Sequence, residues 1–132
     1  MYGYLLQDWI TIRGTQTGVN IIQSEADWLS LQPYQDVVMW LDVKSVTLGG
    51  LTSITLDYET APAKDESLFV KMITTTNLTA AVSRQDKALL SAATVPLARY
   101  LRWKIIPNGT VSSEFGVCFR IYVASNAVGA LA

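Results

Sequence analysis

The sequence has 132 residues, of which 50% are hydrophobic and 16% charged, with a net charge of −1 at neutral pH and no histidine. That length suits a single domain, residues 1–132, whose core forms without covalent staples, and the charge balance argues against nucleic acid, which binds to a basic excess. Cys118 is the only cysteine, so no internal disulfide forms, and the absence of histidine removes the commonest general base and zinc ligand.

The opening, Met1 to Trp9, has no basic stretch and meets Asp8 early, so no secretion signal is expected. No run of about 18 apolar residues is present to cross a membrane. The expected location is a virion or the cytoplasm. Asp8 to Arg13 and Asn20 to Gln23 read as short strands, with Trp9 on the polar side of the first. Glu25 to Leu31 reads as a short helix, and Trp28 and Tyr34 lie either side of Pro33 in an expected loop.

From Val37 to Val43 the apolar period is two. Val37, Met39, Leu41 and Val43 share one face, and Val38, Trp40 and Asp42 share the other. Gly49-Gly50 reads as a tight turn. In the strand that follows, Ile54, Leu56 and Tyr58 point one way, while Ser53, Thr55, Asp57 and Glu59 form an expected wet face. Ala61 to Glu66 reads as a polar loop, Leu68 to Thr74 as a strand, and Ser83 to Leu90 as a second short helix. Tyr100 to Ile105 alternates again, with Leu101, Trp103 and Ile105 inward and Tyr100, Arg102 and Lys104 outward. Pro107-Asn108-Gly109 is a turn signal. Gly116 to Val123 directs Val117, Phe119, Ile121 and Val123 inward, and Arg120 outward. The tail, residues 124–132, has neither strand nor helix periodicity and reads as a frayed end or a docking arm.

Short strands at this spacing, without long helical periods, predict an all-β fold: an antiparallel β-sandwich, jelly-roll-like, with at most short helices. Chemistry finds little support. Asp57 and Glu59 share a strand face with no cleft implied, Asp65-Glu66 reads as a solvated loop, and Gly49-Gly50 lacks the Lys and Ser/Thr of a phosphate loop. No catalytic residue, metal site or cofactor is expected. Asn77-Leu78-Thr79 and Asn108-Gly109-Thr110 match the glycosylation sequon, which matters only to a secreted chain.

The aromatics carry the functional interest, because four tryptophans are many for this length. Trp103 belongs to the core. Trp9 and Trp40 are either covered by a loop or second sheet, or exposed as a platform for sugar stacking or a subunit interface; Trp28 and Tyr34 divide the same way. Outward Tyr100, Arg102, Lys104 and Arg120 face a choice too. They pair with outward Asp42, Asp57 and Glu59 if their strands are neighbours, and otherwise leave one face basic and one acidic. The candidate interface or ligand-stacking residues are therefore Trp9, Trp28, Tyr34, Trp40, Tyr100, Arg102 and Arg120.

Three segments in order, Val38-Met-Trp-Leu-Asp-Val-Lys44, Ile54-Thr-Leu-Asp-Tyr-Glu-Thr-Ala-Pro62 and Leu97-Ala-Arg-Tyr-Leu-Arg-Trp-Lys104, resemble a galactose-binding-like jelly roll of the discoidin type. The resemblance covers roughly residues 37–123, with Phe115 to Val123 where that family closes its sandwich. Ala98-Arg-Tyr-Leu-Arg102 is its one sharp element. The chain lacks the terminal disulfide pair of extracellular members, and neither a calcium set nor a sugar-binding residue carries over. A class likeness, without a motif, joins small, neutral, Thr-rich, cysteine-poor β-sandwiches of this kind to accessory and decoration proteins of tailed-phage particles. The function expected is thus non-enzymatic: a structural or assembly protein, an accessory or decoration component of a phage-like particle that acts through contacts with protein subunits as a homo-oligomer, or alternatively a carbohydrate-binding module.

Overall fold

The computed structural model describes residues 2–31, 34–75, 77–79, 82–88 and 97–127. Over these residues the chain forms strands β1 (Tyr2–Gly14), β2 (Ile21–Ile22), β3 (Leu29–Ser30), β4 (Tyr34–Thr47), β5 (Leu51–Ala61), β6 (Val70–Thr74), β7 (Val82–Ala88), β8 (Tyr100–Gly109) and β9 (Phe115–Ala127). Two 3-10 turns, Glu25–Asp27 and Glu66–Leu68, interrupt them. Among the described residues no helix is long and apolar enough to cross a membrane.

The pairings are nested. β1 pairs with β9, β2 and β3 with β8, β4 with β7, and β5 with β6, all antiparallel. This is the pattern of one long hairpin turning between β5 and β6. Rolling that hairpin places β9 beside β4 and β8 beside β5, again antiparallel. The result is two sheets, β1-β9-β4-β7 and β2-β8-β5-β6 with β3 also on β8, in the architecture of a jelly-roll sandwich.

Alternation places the core as the sequence predicts. Val37, Met39, Leu41 and Val43 of β4 and Val117, Phe119, Ile121 and Val123 of β9 are buried from the first sheet. They meet Ile54, Leu56 and Tyr58 of β5 and Leu101, Trp103 and Ile105 of β8 from the second. Trp103 and Phe119 touch across the sandwich edge to face, their ring centroids 5.0 Å apart. A buried polar group ties the same sheets. The Gln23 amide donates to the Leu6 carbonyl (2.7 Å) and accepts from the Trp103 backbone N–H (3.4 Å), and the Trp103 indole donates to Gln7 (3.1 Å).

Three local expectations change. Ser83 to Leu90 is expected as a helix, yet Val82–Ala88 is strand β7, because pairing with Val37–Val43 supplies its backbone partners; Leu89 and Leu90 lie outside the described residues. Tertiary pairing here overrides a weak local preference. Glu25 to Leu31 contains only the Glu25–Asp27 turn before β3. Pro107-Asn108-Gly109 is expected as a turn, yet it finishes β8, with Pro107 opposite Ile54. Ile54 directs its own N–H and carbonyl away from β8, to Leu78. On the far side of β8, β2 pairs only as far as Ile105. Pro107 therefore occupies a place where no ladder bond needs its missing N–H. Of the tail, Ala124 to Ala127 continues β9, and residues 128–132 lie outside the described residues.

Gly49 and Gly50 make the turn between β4 and β5 with φ of 58° and 96°. Positive φ at both centres closes a tight turn, in which the Leu51 N–H donates to the Leu48 carbonyl at 3.0 Å, and this turn carries the chain from the first sheet to the second. A Cβ on Gly49 would also meet the carbonyl oxygens of Ser113 and Glu114. Gly49→Ala is expected to lower stability by about 1–3 kcal/mol, read from the urea midpoint at unchanged slope.

Candidate functional site

Each sheet has one face in the core. The two remaining outer faces differ sharply, and they hold most of the candidate residues.

On the second sheet the outer face is closed. Asp57, Glu59 and Arg102, expected on a wet surface, are only 3%, 5% and 3% exposed. The register explains their pairing: Glu59 lies opposite Arg102, and Asp57 opposite Lys104. Arg102 Nε donates to Glu59 Oε1 at 2.9 Å, and Lys104 Nζ lies 3.2 Å from Glu59 Oε2. The Thr74 hydroxyl donates to Asp57 at 2.7 Å. The covering groups come from the two 3-10 turns. The Arg102 guanidinium lies 3.9 Å from the Phe69 ring centroid and 4.9 Å from that of Trp28, and these rings meet edge to face at 4.8 Å. Trp28 is half-buried and its indole donates to the Gln23 carbonyl at 2.9 Å. Arg102 Nη1 is buried without a hydrogen-bond partner among the described residues, and the two rings over the cation offset part of that loss.

This arrangement corrects the reading of Arg102 and Trp28 as interface candidates. Arg102 points outward from the sheet, but the segments that follow the turns fold back over it, and Trp28 is one of the covering rings, packed against Arg102 and Phe69. It also withdraws Asp57 and Glu59 from the expected wet face. Asp65 serves locally: its carboxylate accepts from the Ser67 hydroxyl (2.8 Å) and backbone N–H (3.0 Å). The Ser67 hydroxyl bond, then the backbone bond, hold its pKa below the ordinary carboxylate value.

On the first sheet the outer face is open. Leu5, Trp9, Trp40 and Tyr122 are 44%, 43%, 37% and 46% exposed. The register puts three of them in one row, with Leu5 opposite Tyr122 and Tyr122 opposite Trp40. The next row holds Arg120 opposite Asp42. Arg120 Nε and Nη2 both donate to Asp42 Oδ2, at 3.2 and 3.1 Å. The Arg120 guanidinium also lies 4.7 Å from the Trp9 ring centroid and 5.0 Å from that of Tyr122. One cation is thus held by a carboxylate and two rings, all fixed on strands. The pair is partly exposed and contributes roughly 0.2–1 kcal/mol to folding. Beyond this row lie the small side chains of Thr11, Ser45, Thr47 and Cys118, and then the exposed Arg13, whose Nε is 4.0 Å from Glu114 Oε1.

The structure therefore unites Trp9, Trp40 and Arg120 and sets them apart from Trp28 and Arg102. Tyr100 stands at the start of β8, half-buried, under the Arg99 guanidinium at 5.3 Å. Tyr34, expected in a loop, opens β4 because its backbone pairs with Ala127; its side chain lies outside the described residues. Tyr122 and Leu5 belong to the exposed cluster though neither is a sequence candidate. Alternation against Ile121 and Val123 signals Tyr122. Leu5 gives no such signal, because Leu5-Leu6 is an apolar pair and only the fold turns Leu6 inward.

No protein-family model matches the sequence, and no curated protein matches it. Solved structures of a viral particle share the fold. The VP2 subviral particle of infectious bursal disease virus is 12% identical, with a TM-score of 0.60 over 98% of this chain and 33% of that one. The Gx strain of the same virus gives 13% and 0.59 over 98% and 32%. An adhesin domain of Lys-gingipain from Porphyromonas gingivalis gives 11% and 0.43 over 96% and 98%. The chain spans about a third of the length of the two viral chains, and at such identities the likeness is one of architecture.

Glu59→Leu is expected to destabilise the protein by about 3–5 kcal/mol by leaving the Arg102 charge buried without its carboxylate. Glu59→Leu/Arg102→Leu regains most of that loss. Equilibrium urea unfolding of both variants measures the difference.

Proposed function

We propose that the protein is a non-enzymatic structural component of a larger protein assembly, a virion-like particle, which it joins through the outer face of the β1-β9-β4-β7 sheet. One observation carries this reading: Leu5, Trp9, Trp40 and Tyr122 stand exposed together on one sheet face, around an Arg120 already fixed by Asp42. Tryptophan, tyrosine and arginine are the residues that dominate protein interfaces when water is excluded from them. Rings and a cation anchored on strands lose little freedom on binding, so more of the contact energy remains as affinity. The opposite sheet uses the same kinds of residue and covers them from within the chain. Among the described residues no segment covers the open face, and we assign its coverage to a partner.

The non-enzymatic part rests on where the carboxylates go. Asp57 and Glu59 are engaged by Thr74, Arg102 and Lys104 inside a closed face. The viral particle structures lend support as examples of this architecture in an assembly, over about a third of their chains.

A second reading, a carbohydrate-binding module in keeping with the discoidin-type resemblance, draws on the same rings, which could stack on sugars from an open face. A glycan array probed with the purified chain separates the two.

In its native source, the tagged chain is expected to sediment with a large particle on a sucrose gradient. The double variant Trp9→Ser/Trp40→Ser, still folded by circular dichroism, is expected at the top. Wild-type chain found only at the top of the gradient sinks the assembly reading.

A further inference from the structure

We infer that the open face is self-complementary, and that its partner is a second copy of this chain related by a two-fold axis lying in the interface, parallel to β9 and β4 and midway between them. The inference rests on the assembly reading and specifies both the occupant and the symmetry.

The argument is in the register. Two sheets that meet face to face about a two-fold axis must have that axis in the plane between them. An axis along the strand direction exchanges left and right and keeps each row at its own level. Placed on the β9–β4 seam, it sets β9 of one copy over β4 of the other. Row by row, the consequences follow from the cross-strand pairs. Tyr122 lies opposite Trp40, so each Tyr122 meets the other copy's Trp40, aromatic on aromatic. Arg120 lies opposite Asp42, so each Arg120 meets the other copy's Asp42, cation on anion. An axis running across the strands through that row would instead place Arg120 over Arg120 and Asp42 over Asp42. With the charged pair at the centre of the contact, charge therefore favours the axis along the strands over the axis across them.

Among the described residues, the groups needed for the second contact have no other hydrogen bond. Asp42 uses only Oδ2 toward Arg120, and Oδ1 has no hydrogen bond among the described residues. Arg120 uses Nε and Nη2, which leaves Nη1 for a carboxylate arriving from above. Their side chains are 32% and 37% exposed, open to a partner beside the apolar row. The dimer closes a ring of four charges, each with two opposite neighbours, rimmed by the rings of Trp9, Trp40 and Tyr122. Isologous contacts have this form: one residue meets another, and the reverse pair forms at the same time.

The test is charge exchange. Sedimentation velocity of the purified chain over a wide concentration range is expected to show a monomer–dimer equilibrium. Arg120→Asp and Asp42→Arg each place like charges together, and each alone is expected to weaken the dimer on the order of 100-fold. An equimolar mixture of the two variants restores it, because both cross-contacts in the mixed dimer are then between opposite charges. The double variant Arg120→Asp/Asp42→Arg keeps the cross-strand pair within the chain and is expected to dimerise with itself and not with wild type, which keeps the test decisive should a single reversal unfold. A wild-type chain that stays monomeric, a dimer that survives the single reversals, a mixture that does not re-form it, or a double variant that pairs freely with wild type overturns the inference. The gradient experiment on the native source reads the assembly function independently of all these results.

Discussion

The last strand, β9, hydrogen-bonds along β1 on one side and along β4 on the other, and the rest of the molecule is arranged around that insertion. It brings residues 115–127 between two segments from the first half of the chain, so the first sheet cannot form until the ends of the sequence meet. Contacts so distant in sequence carry a large loop-closure entropy, which the buried rows of Met39, Leu41, Phe119 and Ile121 must outweigh. The same insertion creates the open face. Arg120 and Tyr122 have Asp42, Trp40, Leu5 and Trp9 as neighbours only because β9 lies where it does.

The two outer faces show two solutions to one problem. A strand with a buried inner face still presents every second side chain outward. In the second sheet those residues include Asp57, Glu59, Arg102 and Lys104, and the chain closes over them with the rings of Trp28 and Phe69. Burying charge is expensive and is tolerated here because carboxylate, guanidinium and ammonium sit within hydrogen-bond reach of each other. In the first sheet the outward residues include four large apolar side chains, and the described segments leave them in water. Each such side chain forgoes a share of the roughly 1.5–3 kcal/mol that full burial would give. That unrealised burial, gathered on one sheet face, is the physical basis for expecting association there rather than elsewhere.

Much of the fold is legible in the sequence because strands have a period of two. Val37 to Val43, Ser53 to Tyr58, Leu101 to Ile105 and Val117 to Val123 divide into inner and outer sets by alternation alone, and the structure buries the inner sets as that rule requires. The Gly49-Gly50 turn is equally legible, since only a residue without a Cβ sits easily at positive φ beside the Ser113 and Glu114 carbonyls. Ser83 to Ala88 is not, because its strand state is conferred by the edge of β4 rather than by its own residues. Pro107 misleads for a related reason, as its tolerance depends on which side of β8 lacks a neighbour.

In β4, β5, β8 and β9 the sequence by itself determined which side chains turn toward the core, because that depends on local backbone geometry. It also supplied the outward aromatics and charges. Which outward residues are covered was decided only by the tertiary structure. Arg102 and Arg120 look alike in sequence, each outward on a late strand with an acidic partner. One lies under rings carried in by the Trp28 and Phe69 segments, and the other stands open beside Trp9 and Tyr122. Covering a face takes a segment from elsewhere in the chain, and no local pattern records where that segment will fall.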